Sequence, residues 1–345
     1  MILTYKIKHG RDFIEELKKA RQVAEFALEH KALSTKDVKH IGLKSIISNQ
    51  ILRKYSRNKK LKRVKHVNLT IPNQGIRVDK EQRLIKIPSL KLAVHYQFPN
   101  HFTKINQIEI NGEYIFVSVT VPEQEPIETS KWMGVDLNTT GHVAVTANPE
   151  TGKVEKLGKK AEHIRKKYKN IRKELQKEGK YRKVKKIKDR EKRIVRDLNH
   201  KVSYEIVNEA KRSESGIKME MLKRVRMAKS RKSFRYSLNS WSFYQLQKMI
   251  EYKAKLLGVP VEYVDPAYTS KRCSRCGAIG NRNGKLFKCP ECGHVDHADA
   301  NAAFNIAFGP RIDRSVIDRD IAEGSTDTPK EATARTPPTL EPHML

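Results

Sequence analysis

The chain opens on a strict alternation, with Leu3, Tyr5 and Ile7 apolar and Thr4, Lys6 and Lys8 polar. That is the period of a half-buried strand. The period then lengthens. Phe13, Leu17, Ala20, Ala24 and Leu28 recur at steps of three or four, as one face of a helix does. Ser34-Thr35-Lys36-Asp37 reads as a capping box opening a second helix, which runs through Val38, Ile41 and Ile51 to a basic end near Lys60. Period two returns over residues 63–122. There Asn111-Gly112 separates the runs 105–110 and 114–121, a strong hairpin signal. These patterns predict a small barrel or curled sheet over residues 1–10 and 61–130, with residues 11–60 as a helical insertion.

A polar linker at 123–130 precedes a second pattern. Trp132-Met133-Gly134-Val135-Asp136-Leu137 is an apolar strand carrying one acid, and 143–146 and 154–157 are short strands. Two helical stripes follow: Ile164, Tyr168, Ile171 and Leu175, then Val184, Ile187, Ile194 and Leu198, with Gly179 between them. Residues 215–220 form a strand ending on Glu220, 241–257 a helix, and 259–264 another strand. A last helix over 299–307 stops at Gly309-Pro310. The tail, residues 310–345, is rich in Thr, Pro, Glu and Ala without an apolar period, which predicts disorder. Strands mixed with helices make the fold class α/β and α+β, in more than one domain.

Charge sharpens the picture. In 345 residues, Lys and Arg number 71 against 39 Asp and Glu, a formal net charge of +32. Residues 159–196, the predicted helical hairpin, are basic at nearly every second position. Repulsion of one sign is relieved by a polyanion, so nucleic acid is the expected partner. Tyr168, Tyr181 and Phe234 lie among these basic residues, where base stacking competes with ordinary core packing. No run approaches the ~18 apolar residues of a membrane span, and the first ten residues lack a secretory pattern. The expectation is a cytoplasmic protein, associated with the nucleoid when on DNA, with no membrane partner.

Cys273-Ser274-Arg275-Cys276 and Cys289-Pro290-Glu291-Cys292 are two CxxC knuckles twelve residues apart, each followed by a glycine. Four soft ligands in two close pairs suit one tetrahedral Zn2+, and a closed four-thiolate site is structural. The carboxylates form a second constellation: Asp136 on the first strand of this region, Glu220 at the end of a later one, and Asp299 leading into the alanine-rich helix. Converging anions need cations. A pair of Mg2+ or Mn2+ ions at such a site suits phosphodiester cleavage.

At these residues the chain resembles a known family. Gly134-Val135-Asp136-Leu137-Asn138-Thr139-Thr140-Gly141 resembles the first RuvC motif of TnpB-type, transposon-encoded RNA-guided nucleases, relatives of type V CRISPR effectors. The run from Tyr268 to Cys273, both knuckles and the Asp299-to-Ala303 stretch resemble the family's final block. The resemblance is specific over about residues 132–308 and architectural before that. It implies a wedge-like barrel with a short helical recognition insertion, then an RNase H-like RuvC domain over 131–309 with a zinc ribbon at 268–295 inserted. It implies Asp136, Glu220 and Asp299 as catalytic acids, a basic hairpin (159–198) on the guide–target duplex, a guide RNA, and double-stranded DNA beside a short adjacent motif. Glu214, Asp265 and Asp296 compete for the acid positions. Asp296 breaks the acid-x-Asn-Ala-Ala spacing, and Glu214 precedes its strand. Met221 after Glu220 departs from the acidic or polar residue that related sequences often carry there. Alternatives are a cleavage-inactive RNA-guided repressor, a guide-independent structure-specific nuclease such as a junction resolvase, and a transposase.

Overall fold

The opening alternation forms β1 (Ile2–Lys8), which directs Leu3, Tyr5 and Ile7 to a core and leaves Thr4, Lys6 and Lys8 exposed. The computed structural model describes residues 1–58, 61, 63–138, 141–221 and 243–312. Lys60, Thr139, Thr140, Phe234, Trp241 and the tail beyond 312 lie outside the described residues. The chain divides into two units, Met1–Glu125 with Lys255–Gly258 and Pro126–Ala254 with Val259–Leu345.

In the first unit β1 is followed by α1 (Ile14–His30), α2 (Ser45–Tyr55), β2 (Leu69–Pro72), β3 (Arg77–Asp79), β4 (Leu84–Ile87), β5 (Leu92–His95), β6 (Lys104–Ile110) and β7 (Tyr114–Thr120). Strands β1-β7-β6-β2 make one antiparallel sheet and β3-β4-β5 another. Both sheets share one apolar core with the helices: Ala20, Val23, Ala24, Ile47 and Ile51 pack with Ile71, Ile85, Ile87 and Val117. Among the described residues no ladder joins the two sheets into a closed barrel. The β6–β7 hairpin turns at Asn111-Gly112, where Asn111 Oδ1 accepts from the backbone N–H of Glu113 at 2.9 Å and of Tyr114 at 2.8 Å. The capping box at Ser34 does not form. Ser34 Oγ accepts from Lys36 N–H instead, a local turn that competes with helix. A 3-10 turn then ends at Gly42 with φ +72°, and α2 starts only at Ser45.

The second unit is built on a five-stranded sheet. β8 (Trp132–Leu137), β9 (Ala144–Ala147) and β10 (Val154–Leu157) run as an antiparallel meander. The helices α3 (Lys160–Lys177) and α4 (Tyr181–Arg212) follow, with Gly179 at φ +69° between them. The chain then re-enters the sheet as β11 (Gly216–Glu220) beside β8, and after α5 (Phe243–Leu256) as β12 (Val261–Val264), both parallel to β8. The strand order is β10-β9-β8-β11-β12. α4 buries only its second half, from Val195 to Ala210; its first half pairs with α3, where Arg172 and Glu191 form an ion pair. A small antiparallel sheet, β13 (Asn281–Asn283), β14 (Leu286–Lys288) and β15 (Val295–His297), precedes α6 (Ala298–Phe308). Among the described residues no helix is long and apolar enough to cross a membrane.

Candidate functional site

The two central strands set the positions of two acids. β8 and β11 are parallel, and their last paired residues are Val135 and Met219. One step further, Asp136 and Glu220 stand level and, by the alternation of side chains, on one face of the sheet. Gly134 shares that face. A Cβ there would fall 1.9 Å from the carbonyl oxygen of Ala303 and 2.7 Å from the amide nitrogen of Ala307, so the backbone of α6 rests directly on the glycine. Asp299 lies one turn back from Ala303, about 6 Å along the helix. Asp136 lies two residues on from Gly134, about 6.6 Å along the strand. Close packing of an alanine-rich helix on a glycine thus brings the third acid over the first.

The surroundings oppose ionisation. Asp136 is 8% exposed. Burial first, then the neighbouring charges of Glu220 and Asp299, push its pKa up to about 7, against a hydrogen bond from Asn138 Nδ2 at 2.7 Å and the charge of Arg282. Burial also raises the pKa of Glu220, whose Oε1 accepts from the Thr269 hydroxyl; Asp265 adds to the rise and Arg282 opposes it. Asp299 is 1% exposed. Two cations from the β13–β14 hairpin reach it: Arg282 Nη2 donates to Oδ1 at 3.1 Å and Lys285 Nζ to Oδ2. His297 caps α6, its Nδ1 accepting from Asp299 N–H at 3.3 Å.

The competing acids sit elsewhere. Glu214 is exposed in the turn before β11, at the strand end opposite Glu220, with φ +50°. Asp296 accepts from the N–H of His297 and faces His294 at 3.8 Å. Asp265 is exposed at the end of β12, where its Oδ1 accepts from Ala267 N–H. Among the aromatic residues, Tyr168 is buried and Tyr181 is 68% exposed.

The four cysteine sulfurs lie within 4.8 Å of one another. Cys273 and Cys292 are 3.6 Å apart, and Cys276 and Cys289 3.5 Å. Tetrahedral ligands about 2.3 Å from a zinc ion stand about 3.8 Å from each other, so the donor set and its spacing fit. Gly277 and Gly293 follow the knuckles at φ +76° and +67°, a conformation that costs glycine little. Among the described residues only these cysteines bring three or more ligand atoms that close; the acids are spaced more widely.

Residues 243–306 match a family model described as Cas12f1-like, TNB domain. Over 211 residues the chain is 36% identical to a TnpB-like protein of Methanocaldococcus jannaschii, an alignment covering 60% of this chain and 69% of that one. The chain belongs to the TnpB-like family. It is also 34% identical over 236 residues to the CRISPR-associated endodeoxyribonuclease Cas12f1 of Sulfoacidibacillus thermotolerans, covering 63% of this chain and 54% of that relative's length. A cryo-EM structure of a Cas12f1–sgRNA–target DNA complex has the same fold, with a TM-score of 0.58 at 16% identity over 85% of this chain and 81% of that one. In this TnpB-like chain the matched block carries α5, both knuckles and Asp299. It also carries Arg282, Lys285 and Asn305, which the sequence motifs leave out, and Thr269 and Asn301, which enter there only as members of the resembling motifs. The asparagines left a signal of their own, two amides four residues apart in a helix whose only other polar residue is Asp299.

Proposed function

We propose that this TnpB-like protein is an RNA-guided DNA endonuclease of a mobile element, cutting target DNA at Asp136, Glu220 and Asp299. The observation that carries the reading is the meeting of three acids from separate parts of the chain, on β8, β11 and α6, in surroundings that push Asp136 up to about 7. Such mutual destabilisation is relieved by divalent cations, and Mg2+ or Mn2+ fits widely spaced carboxylates because each ion keeps waters and phosphate oxygens as its other ligands. When bound, a pair of these ions would activate the attacking water and stabilise the leaving oxygen.

The residues of the chain would then divide the work. Asp136, Glu220 and Asp299 hold the ions on the sheet face. Arg282 and Lys285 answer the charge of Asp299 and would meet a phosphate brought to it. Asn138 fixes the orientation of Asp136. In this reading the five-stranded sheet, an antiparallel meander joined by two parallel strands, is the RNase H-like core of a RuvC domain over 131–309. The knuckles are its zinc ribbon, with one structural Zn2+ on Cys273, Cys276, Cys289 and Cys292. Residues 1–10 and 61–130 form the wedge-like domain around the helical insertion 11–60, and the α3–α4 hairpin lies along the guide–target duplex. Base pairing with a guide RNA reads the sequence of double-stranded DNA, while the protein reads backbone and a short adjacent motif.

The test is to replace each acid with alanine and measure cleavage and guide-directed binding separately. Binding rests on phosphate neutralisation and base pairing, so it should persist while cleavage is abolished. Glu214→Ala and Asp296→Ala should cut nearly as well as wild type. Three single variants that all cut at the wild-type rate would end the nuclease reading. A wild-type protein that binds guided targets and never cuts would favour a repressor, and cutting without any RNA a guide-independent nuclease.

A further inference from the structure

Asn301 and Asn305 bond to the backbone of the loop around Cys273 and not to the acids, and the chemistry above uses neither. Asn301 is fully buried, at 0% exposure. Its amide is engaged by one loop: Oδ1 accepts from Ser274 N–H at 2.9 Å, and Nδ2 donates to the Arg272 carbonyl at 2.7 Å. These partners flank Cys273, the first knuckle ligand. Asn305 Nδ2 donates to the Arg272 carbonyl at 2.7 Å and to the Thr269 carbonyl at 2.8 Å. Thr269, itself buried, completes the path, because its hydroxyl donates to Glu220 Oε1.

We propose that Asn301, Asn305 and Thr269 are positioning residues that make the first cysteine knuckle a support for the acid centre. The asparagines join the knuckle backbone to α6, and so to Asp299; Thr269 joins it to Glu220. A buried amide that meets both a donor and an acceptor of one loop fixes that loop in position and orientation. A zinc ion held by Cys273 and the other three cysteines would pin the same loop as well. Groups that orient a ligand's support act on metal affinity without touching the ion. The assignment to catalysis rests on the reading of the three acids given above.

The test uses the full chain with its zinc in place, and manganese without nucleic acid as the probe. Thr269→Val keeps the shape and removes the hydroxyl, and should weaken manganese binding about tenfold, with Thr269→Ser recovering it. Both should retain wild-type zinc. Independently, Asn301→Ala should speed amide exchange in residues 216–220 and 298–301 while zinc content is unchanged. Chelating zinc from the wild type should loosen the same two segments. If Asn301→Ala fails to fold, Asn305→Ala, at the less buried end of the ladder, gives the same readout. Unchanged protection in both segments after verified zinc removal overturns the proposal, and so does a Thr269→Val protein that binds manganese as tightly as wild type. Manganese binding that survives Asp136→Ala counts against the acid centre instead, and the exchange experiment still decides the coupling.

Discussion

Asp136 is a carboxyl group whose surroundings favour its proton, and the direction of that preference has two consequences. Its folded pKa of about 7 lies above that of an unfolded aspartate, so the metal-free fold binds this proton more tightly than the unfolded chain does. Its stabilising contribution is therefore complete below the ordinary aspartate range and is lost as the pH rises through about 7. Asp136→Asn removes the charge and keeps the volume. With a chelator at pH 8 it should melt above wild type, by an amount worth on the order of a few kcal/mol, and the gain should vanish near pH 4. Thermal melts across that range decide it. A divalent ion must displace the same proton, so manganese affinity should climb with pH up to about 7 and level off beyond. The positions of Asp136 and Glu220 were legible in the sequence because each sits at the end of an apolar strand. Arg282, Lys285 and Thr269 were not, because their approach to the acids is made by tertiary folding and leaves no period along the chain.

At the level of elements, the packing of α6 on β8 is the feature that admits least change. Gly134→Ala places a methyl inside the helix backbone, and the helix must shift or the strand must bend. Overpacking of this kind costs about 1–3 kcal/mol. The variant should melt lower, and its cleavage should fall by more than the stability loss explains, because Asp299 moves with the helix. Equal cleavage by folded variant and wild type would separate the packing from the site. The zinc ribbon offers a second check: elemental analysis should find about one zinc per chain, and Cys273→Ser or Cys289→Ser should lose it. The hydrophobic periods had marked the strands β1, β8, β9, β10, β11 and β12, the β6–β7 hairpin and the break at Gly179, but the order of the strands in their sheets is set by pairings distant in sequence and leaves no period along the chain. The second helix was misplaced because Ser34 serves its own turn. A side chain suited to capping a helix is equally suited to closing a turn, and the sequence of four residues does not separate the two.

For the molecule as a whole, a net charge of +32 implies that the proposed binding to nucleic acid depends strongly on ionic strength. Lys183, Lys186 and Arg190 share one exposed face of α4. Changing all three to glutamine should weaken binding at low salt and flatten the dependence of log affinity on log salt by up to about 0.9 for each phosphate no longer neutralised. Titrations at several salt concentrations read the slope; an unaltered slope would take that face out of the interface. α4 has a further mechanical consequence. Its 32 residues span about 48 Å, and only the distal half is clamped in the unit's core. A tilt of about 5° about the clamped half would carry the free tip roughly 2 Å sideways, by the same rise per residue. A probe at the exposed Tyr181 would therefore amplify motions too small to register at the sheet, and the helix is a pointer whose dial can be read from solution.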